Sequence, residues 1–275
     1  MQSLVSTQWL ADHLGEPNLS IVDTSWHMPT TGRSAESEFC EGHIPGALFL
    51  DIDEVADTSN PLPHMLPSAE AFAAAMERLG IGIGDRIVVY DNSPHHTAAR
   101  GWFTFRHFGA QDVAILDGGL PKWLAEGRAL ETGRTAIRAA EFLGRERDDV
   151  VAKGELLDGP TLILDARGSA RFEGTEAEPR AGLASGHIPG SRNLPMARLY
   201  NEDGTFKSPD DLREVFADAG ADPSQPFVAM CGSGVTACSI IFAAQLIGHD
   251  QGRLYDGSWS EWGADPSTPK AVGPA

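Results

Sequence analysis

Short apolar runs alternate with longer helical stretches along this chain, and the alternation is clearest in its first half. Two stretches, 68–80 and 97–109, have a helical pattern and end at a glycine, as helix C-termini prefer. The apolar runs have the length and composition of strands, and they cover 21–26, 47–51, 86–91 and 113–118. This order predicts an α/β fold with a mainly parallel sheet flanked by helices, in which ligand sites lie at the carboxyl ends of strands.

The second half of the chain repeats the first. Four segments recur in the same order at an offset of about 140 residues, and the matched pairs are 18–26 with 161–169, 42–51 with 186–195, 86–92 with 226–232, and 114–123 with 252–262. An offset of this size fits one α/β domain and is too long for a solenoid repeat. We therefore predict two tandem domains, and we place their boundaries as follows: a first domain over 1–127, a polar linker over 128–150, a second domain over 151–264 and a disordered tail over 265–275.

Bulk properties narrow the classes of partner. The 275 residues are enough for two domains, and a formal net charge of -18 argues against nucleic acid and against anionic membrane surfaces as partners. That charge still permits an anionic substrate, since a few local arginines can reverse the field in one cleft. Three cysteines in a chain of this length do not form a disulfide framework, and we see neither a signal peptide nor an apolar span of ~18 residues. These features predict a cytoplasmic protein in a reducing compartment.

Cys231 is the strongest candidate for chemistry. It follows a buried apolar run over 226–230 and opens the loop Cys-Gly-Ser-Gly-Val-Thr (231–236), which leads into an apolar helix over 235–247. Such a loop turns backbone N–H groups toward its own centre, and the helix N-terminus adds positive potential there. Gly232 and Gly234 allow the tight curl. This environment favours a thiolate, so we predict a nucleophile at Cys231, whereas Cys238 in the same helix has the pattern of a packing residue.

The two halves differ at this position. Asp91 occupies the place in the first half that Cys231 occupies in the second, and an aspartate is not a sulfur nucleophile. We therefore predict that the first domain is catalytically silent and structural. Neither Cys40 nor Cys238 has a histidine at metal-ligand spacing, so we predict no metal site.

Three features together resemble one known family. They are the His-Ile-Pro-Gly motif in each half (43–46 and 187–190), the strand–Cys–loop–helix segment, and the Asp-Gly-Gly or Asp-Gly-Ser-x-Trp endings. This combination resembles the rhodanese (sulfurtransferase) superfamily in its tandem two-domain form, over roughly residues 4 to 263. Because the silent half keeps the His-Ile-Pro-Gly motif, we expect His43 and His187 to serve the turn and its packing.

Within that family, the loop 231–236 resembles the loop of 3-mercaptopyruvate sulfurtransferases. Thiosulfate sulfurtransferases usually carry Arg and Lys just after the cysteine, whereas residues 232–236 here carry no charge. The difference is physically sensible, because thiosulfate is a compact dianion that basic loop residues neutralise. The resemblance implies transfer of sulfur from 3-mercaptopyruvate through a Cys231 persulfide to a thiol such as thioredoxin, or to cyanide, with release of pyruvate and without a metal or organic cofactor.

The resemblance also implies roles for further residues. Arg171 and Arg180 match the substrate-binding arginines, and paired charge-assisted hydrogen bonds would let them hold the carboxylate and ketone of the donor. Ser233, with His64 and Asp53 from the first half, matches a proton relay. The loop residues expected to surround the substrate and the persulfide are Gly232, Gly234, Val235 and Thr236.

Plainer explanations exist for the same residues. Each arginine is equally explained as a surface residue paired with Glu173, Glu176 or Glu178. His64 fits a surface position in a proline-rich loop, and Asp53 fits a helix cap.

Two other functions remain open at this point. The nearest is a thiosulfate:cyanide sulfurtransferase, and one from a different class is a non-catalytic sulfur carrier or redox-sensing module. A phosphatase of related fold is disfavoured, because its cysteine loop ends in an arginine and Ala237 stands at that position here.

Overall fold

The computed structural model describes residues 1–158 and 161–274, which form two compact units. The first unit comprises Met1–Thr58, Leu66–Asp148 and Glu202–Phe206. The second comprises Ser59–Met65, Asp149–Asn201 and Lys207–Ala275. The segment that contains His64 therefore groups with the second unit, although it lies in the first half of the sequence.

The first unit is built on a five-stranded, all-parallel sheet. In chain order its elements are β1 (Leu4–Val5), α1 (Thr7–His13), β2 (Leu19–Asp23), a 3-10 turn (Pro29–Thr31), α2 (Ala35–Glu41), β3 (Ala47–Phe49), α3 (Ala69–Leu79), β4 (Arg86–Tyr90), α4 (Ala98–His107), β5 (Val113–Leu116) and α5 (Gly119–Ala125). The strand order is β1-β5-β4-β2-β3. The predicted α/β fold with a parallel sheet is confirmed.

Local sequence explains why these elements form where they do. The central strand β4 is buried from Ile87 to Tyr90, as expected for a parallel sheet covered on both faces. Ser68 caps α3 by accepting a hydrogen bond from the Ala71 amide, and Gly80 ends the helix in the left-handed conformation at φ 74°. The helix predicted over 68–80 is therefore confirmed to within a residue at each end.

The second unit repeats this architecture with a four-stranded parallel sheet. Its elements are α6 (Lys153–Asp158), β6 (Leu162–Asp165), α7 (Ser169–Phe172), β7 (Arg192–Asn193), a 3-10 turn (Met196–Leu199), α8 (Pro209–Asp218), β8 (Phe227–Met230), α9 (Ala237–Leu246), β9 (Gly252–Leu254) and α10 (Ser258–Trp262). The strand order is β7-β6-β8-β9. Helix α9 is apolar on all sides and is buried from Ala237 to Ala244, because it lies in the interior and has no solvent-facing stripe.

The repeated histidines are packing residues, as expected. His43 stacks on Phe39 at 3.9 Å between ring centroids, and its Nδ1 lies 2.8 Å from the Phe39 carbonyl oxygen. His187 makes the same pair of contacts with Phe172, at 3.8 Å and 2.8 Å. In each unit the histidine therefore packs its motif against a phenylalanine that belongs to a helix.

The predicted disorder of the tail is wrong for the described residues up to 274. The indole of Trp262 donates to the Pro269 carbonyl, and the Thr268 hydroxyl donates to the Trp262 carbonyl. Ala271 pairs with His187 in an antiparallel bridge. The polar and proline-rich composition suggested disorder, but the segment is held by hydrogen bonds that join it to distant parts of the second unit.

The predicted linker also has tertiary contacts. Phe142 is fully buried and its ring packs edge-on against Phe72 at 5.3 Å, within the first unit. Glu131 forms a bridge with His43. Within the described parts of the chain, no helix combines the length and apolar character needed to cross a bilayer.

Candidate active site

Cys231 lies at the carboxyl end of a central strand, directly after β8. The loop 231–236 then carries the chain into α9, as the sequence predicts. The cysteine is only 2% exposed, and Ser233 is 6% exposed. Gly234 adopts φ 75°, a left-handed conformation that a side chain at this position would strain. The thiol therefore sits at the base of a tightly curled loop.

The loop leaves four amides without a partner in the protein. Among the described residues, the backbone N–H groups of Gly232, Ser233, Val235 and Thr236 donate to no acceptor. Buried amides are almost always hydrogen-bonded, so a cluster of four such donors is an arrangement for an anion. The loop next to the Cys231 side chain thus has the properties expected of an anion cradle.

Ser258 organises this loop from α10. Its hydroxyl accepts hydrogen bonds from the amides of Cys231 and Gly234, each at 3.1 Å, and donates to the Tyr255 carbonyl at 2.7 Å. Ser258 is fully buried and has φ 49°, an uncommon conformation for a residue other than glycine. Ser260 supports the loop from the same helix, because its amide and hydroxyl both donate to the Gly232 carbonyl.

Sequence reasoning missed Ser258. The Asp-Gly-Ser-x-Trp ending served only as a repeat marker, although it places a serine where the first half has Gly119. That difference between the two repeats was the available signal.

The two predicted arginines converge on the same loop. An ideal Cβ built on Gly232 would lie 3.3 Å from Arg171 Nη2 and 3.7 Å from Arg180 Nη1. Arg171 extends from the short helix α7, and its side chain is 23% exposed. The structure therefore brings both guanidinium groups to the loop that carries Cys231.

Arg171 is also paired with a glutamate, which was the plainer explanation. Glu178 accepts two hydrogen bonds from it, from Nη2 at 2.5 Å and from Nε at 3.3 Å. The same carboxylate accepts from Arg167 Nη1 at 2.6 Å. Arg167 in turn donates hydrogen bonds from Nε and Nη2 to the Asp165 carboxylate. The Cζ atom of its guanidinium lies 4.3 Å from the centroid of the Trp259 ring. Both explanations of Arg171 therefore hold together, since it is paired with a carboxylate and lies at the loop.

The buried ion pairs raise the pKa of Arg167. Burial by itself lowers the pKa of this guanidinium, but attraction and hydrogen bonds from Asp165 and Glu178 outweigh that effect. Arg167 therefore stays charged at every relevant pH and holds Glu178 in place.

Ser233 and His64 are in contact. His64 Nδ1 lies 2.9 Å from Ser233 Oγ, and the histidine is buried. His64 has φ 60°, so the chain adopts a left-handed conformation to present this ring. The surface position that composition suggested for His64 is therefore wrong.

Asp53 belongs to the first unit. Its carboxylate accepts a hydrogen bond from the indole nitrogen of Trp26 at 2.8 Å. Its place in a relay with Ser233 and His64 stays a prediction.

The remaining cysteines have structural surroundings. Cys238 is buried in α9, and its thiol donates to the Gly234 carbonyl at 3.3 Å. Cys40 borders a cavity of about 170 Å³ in the first unit, together with Phe39, Phe49 and Leu79. Across residues 1–158 and 161–274, histidine, cysteine and carboxylate side chains form no group of three or more that suits a metal ion.

In the first unit, a carboxylate occupies the centre of the corresponding loop. Asp91 accepts hydrogen bonds from the amides of Ser93 at 2.9 Å and Ala98 at 2.7 Å. Burial raises the pKa of Asp91 to about 6, against the opposing effect of these two amides. Burial likewise raises the pKa of Asp23, at the end of β2, to about 6. Thus the loop donors of the first unit are used by an internal anion.

Comparison with known proteins identifies the family. The model of the rhodanese-like domain matches residues 6–126 and again 151–265. The chain is 42% identical to a human 3-mercaptopyruvate sulfurtransferase, over 95% of this chain and 92% of that protein. It is also 42% identical to a thiosulfate sulfurtransferase of Cricetulus griseus, with the same coverage. The crystal structure of SseA, a 3-mercaptopyruvate sulfotransferase from Escherichia coli, superposes with a TM-score of 0.86 at 37% identity, covering 95% of this chain and all of that one.

The chain therefore belongs to the rhodanese-like family and has two copies of its domain. The resemblance drawn from the sequence motifs is confirmed, as is the tandem α/β fold.

Proposed function

We propose that this protein is a sulfurtransferase that takes sulfur from 3-mercaptopyruvate onto Cys231 and passes it to a thiol acceptor. One observation carries the proposal: the loop that holds Cys231 presents four unpartnered amides, and two arginines lie within reach of the same loop. An amide cradle stabilises a sulfur anion, while arginines bind a carboxylate. The names of the human and Escherichia coli relatives support the same donor.

The first step is attack by the Cys231 thiolate on the sulfur of the donor. A sulfur–sulfur bond forms and the carbon–sulfur bond breaks, and its electron pair leaves on the pyruvyl fragment as an enolate. Arg171 and Arg180 hold the carboxylate and ketone, so they also stabilise the charge that develops on the enolate. The proton of the donor thiol ends on the methyl carbon, so the products are a Cys231 persulfide anion and pyruvate.

Ser233 and His64 are the groups proposed to move that proton. Their 2.9 Å hydrogen bond lets the serine hydroxyl exchange a proton with the imidazole while it faces the donor. The persulfide anion is then stabilised by the amides of the loop. In the second step an acceptor thiolate attacks the outer sulfur, and Cys231 leaves as a thiolate ready for the next cycle.

Thioredoxin or a small thiol is the acceptor class we propose. A thiol acceptor requires reducing surroundings, and none of the three cysteines is in a disulfide. The chain is anionic overall, which favours neither nucleic acid nor anionic lipid as a partner.

Thiosulfate is the second candidate donor, because a thiosulfate sulfurtransferase is among the similar proteins. Steady-state kinetics with both donors and one thiol acceptor separate the two functions. A higher kcat/KM for 3-mercaptopyruvate supports the proposal, and a higher value for thiosulfate contradicts it.

Replacement of the nucleophile tests the mechanism and excludes a carrier. Cys231→Ser should abolish pyruvate release, whereas Cys40→Ser, a control in the first unit, should keep it. A non-catalytic carrier would release no pyruvate even as wild type, and it would acquire sulfur only from an added donor enzyme.

A further inference from the structure

Cys238 is a fully buried thiol that the mechanism above does not use. It lies in the first turn of α9, and its thiol donates to the Gly234 carbonyl at 3.3 Å. Gly234 belongs to the loop that opens with Cys231. A side chain with the pattern of a packing residue therefore also contacts the backbone that carries the nucleophile.

The unpartnered amides of this loop each follow a carbonyl that accepts a hydrogen bond. In a planar trans peptide, a carbonyl and the N–H of the next residue point in opposite directions, so a donor that holds the carbonyl on one side keeps the N–H on the other. The four carbonyls and their donors are Cys231 with the Trp259 amide at 3.0 Å, Gly232 with the Ser260 amide at 2.9 Å and hydroxyl at 2.7 Å, Gly234 with the Cys238 thiol at 3.3 Å, and Val235 with the Cys238 amide at 3.3 Å. The amides that follow them are those of Gly232, Ser233, Val235 and Thr236, the four donors of the anion cradle.

The peptide between Gly234 and Val235 is the one most easily turned over. Gly234 lacks a side chain and has φ 75°, so rotation of this peptide meets little steric resistance on the glycine side. A rotated peptide would aim its carbonyl oxygen at the centre of the loop and its N–H away from it. The Gly232 carbonyl is held by a backbone amide as well as a hydroxyl, whereas the contact with the Gly234 carbonyl comes from a side chain.

We propose that Cys238 is a positioning residue for sulfur transfer: its thiol holds the 234–235 peptide so that the Val235 amide stays turned toward the sulfur anion. Cys238 acts in this scheme through the backbone of the loop and exchanges no sulfur itself. The proposal rests on the function proposed above for the same site.

The geometry predicts a direction and a size. Loss of one donor from a site that stabilises a developing anion lowers the rate by about a hundredfold to a thousandfold. Cys238→Ala frees the peptide to rotate but keeps its amide, so the maximal rate of pyruvate release in a single turnover should fall less, by about tenfold. The 3-mercaptopyruvate concentration that gives half this rate should stay that of the wild type, because the amide does not hold the donor's carboxylate.

A matched pair of variants separates the hydrogen bond from packing. Cys238→Ser and Cys238→Ala both lose the volume of the sulfur atom, but a serine in a helix donates readily to the carbonyl four residues before it, which here is that of Gly234. Cys238→Ser should therefore keep a rate of pyruvate release close to that of the wild type. Ile240→Val removes one methyl group from a buried position of the same helix and is the control, with an unchanged rate expected.

A readout that does not require sulfur transfer tests the same claim. Iodoacetamide is neutral and alkylates the thiolate form of a cysteine, which the loop amides stabilise. The rate of alkylation at Cys231, followed by mass spectrometry of the peptide that contains it, should fall severalfold in Cys238→Ala at neutral pH. The rates in Cys238→Ser and Ile240→Val should stay those of the wild type.

These measurements distinguish the two possible failures. If the wild type releases no pyruvate from 3-mercaptopyruvate while the alkylation rates change as described, the proposed function fails and the role of Cys238 in the loop stands. The inference is overturned if Cys238→Ala is alkylated as fast as the wild type, if it releases pyruvate as fast as an active wild type, or if Cys238→Ser is as slow as Cys238→Ala. Should Cys238→Ala not fold, Cys238→Thr and Cys238→Val form a second pair of equal shape, and equal alkylation rates in these two would overturn it as well.

Discussion

The hydroxyl of Ser258 should stabilise the second unit by more than its small size suggests. Ser258→Ala leaves the buried amides of Cys231 and Gly234 without their acceptor. An unsatisfied buried donor costs about 1–3 kcal/mol, so two of them predict a loss of roughly 2–4 kcal/mol after some relaxation of the loop. Ser258→Gly loses the same hydroxyl but relieves the left-handed backbone at φ 49°, so it should be more stable than the alanine variant by about 1 kcal/mol.

Ser260→Ala is the matched control from the same helix. Its hydroxyl donates to the Gly232 carbonyl, but its own amide also donates there, so the carbonyl keeps a partner. The expected loss is about 1 kcal/mol or less. Urea unfolding followed by tryptophan fluorescence measures all three variants, since Trp259 and Trp262 report on the second unit. The reasoning is refuted if Ser258→Ala loses no more than Ser260→Ala, or if the glycine variant is the least stable of the three.

Three further changes test other parts of the structure. The pKa values of Asp23 and Asp91 are raised to about 6 from an unfolded value near 4. Their contribution to the free energy of unfolding is therefore complete below about pH 4 and is lost as the pH rises through 6. Between pH 5 and pH 7.5, the ionisation of each group should lower the free energy of unfolding by about 1.4 kcal/mol. Urea unfolding midpoints at the two pH values measure this change in stability. Asp91→Asn should remove about half of the pH dependence, while the exposed control Asp250→Asn should leave it intact. An unchanged pH dependence of stability in Asp91→Asn would show that burial does not control the pKa of this carboxyl. Gly119→Ala should lower the melting temperature of the first unit by several degrees, because its Cβ would lie 2.5 Å from the Asp91 carbonyl oxygen at φ 56°, and a wild-type melting curve would contradict the strain. His64→Asn keeps a side chain that tolerates φ 60° and removes the imidazole, so kcat for 3-mercaptopyruvate should fall about a hundredfold with little change in stability; an unchanged kcat would exclude a role in proton transfer.

The sequence predicted the fold well, because the hydrophobic periodicity and the glycines that end helices are local properties of the chain. The helix over 68–80 ended at Gly80 as its pattern indicated, and the strand before Cys231 was recognisable from its unbroken apolar run. The internal repeat added the tandem arrangement, which no single element indicates.

Parts of the candidate site were less accessible to sequence reasoning. Ser258 is 27 residues beyond Cys231, and nothing in its immediate neighbours shows that its hydroxyl meets two loop amides. The pairing of Glu178 with both Arg167 and Arg171 depends on side-chain directions that spacing alone does not give. The order of the tail was missed for the same reason, since its partners, such as His187, are distant in sequence. Contacts of this kind arise from packing between separated segments, and they carry no local signature.

Intact-mass measurement of the protein after incubation with 3-mercaptopyruvate examines the sulfur-accepting role of Cys231 most directly. We expect the wild type to gain the mass of one sulfur atom, to lose it when a thiol is added, and to release pyruvate in equal amount, whereas Cys231→Ser gains nothing. If the wild type releases pyruvate without gaining sulfur, or if Cys231→Ser gains it as the wild type does, the persulfide mechanism is contradicted.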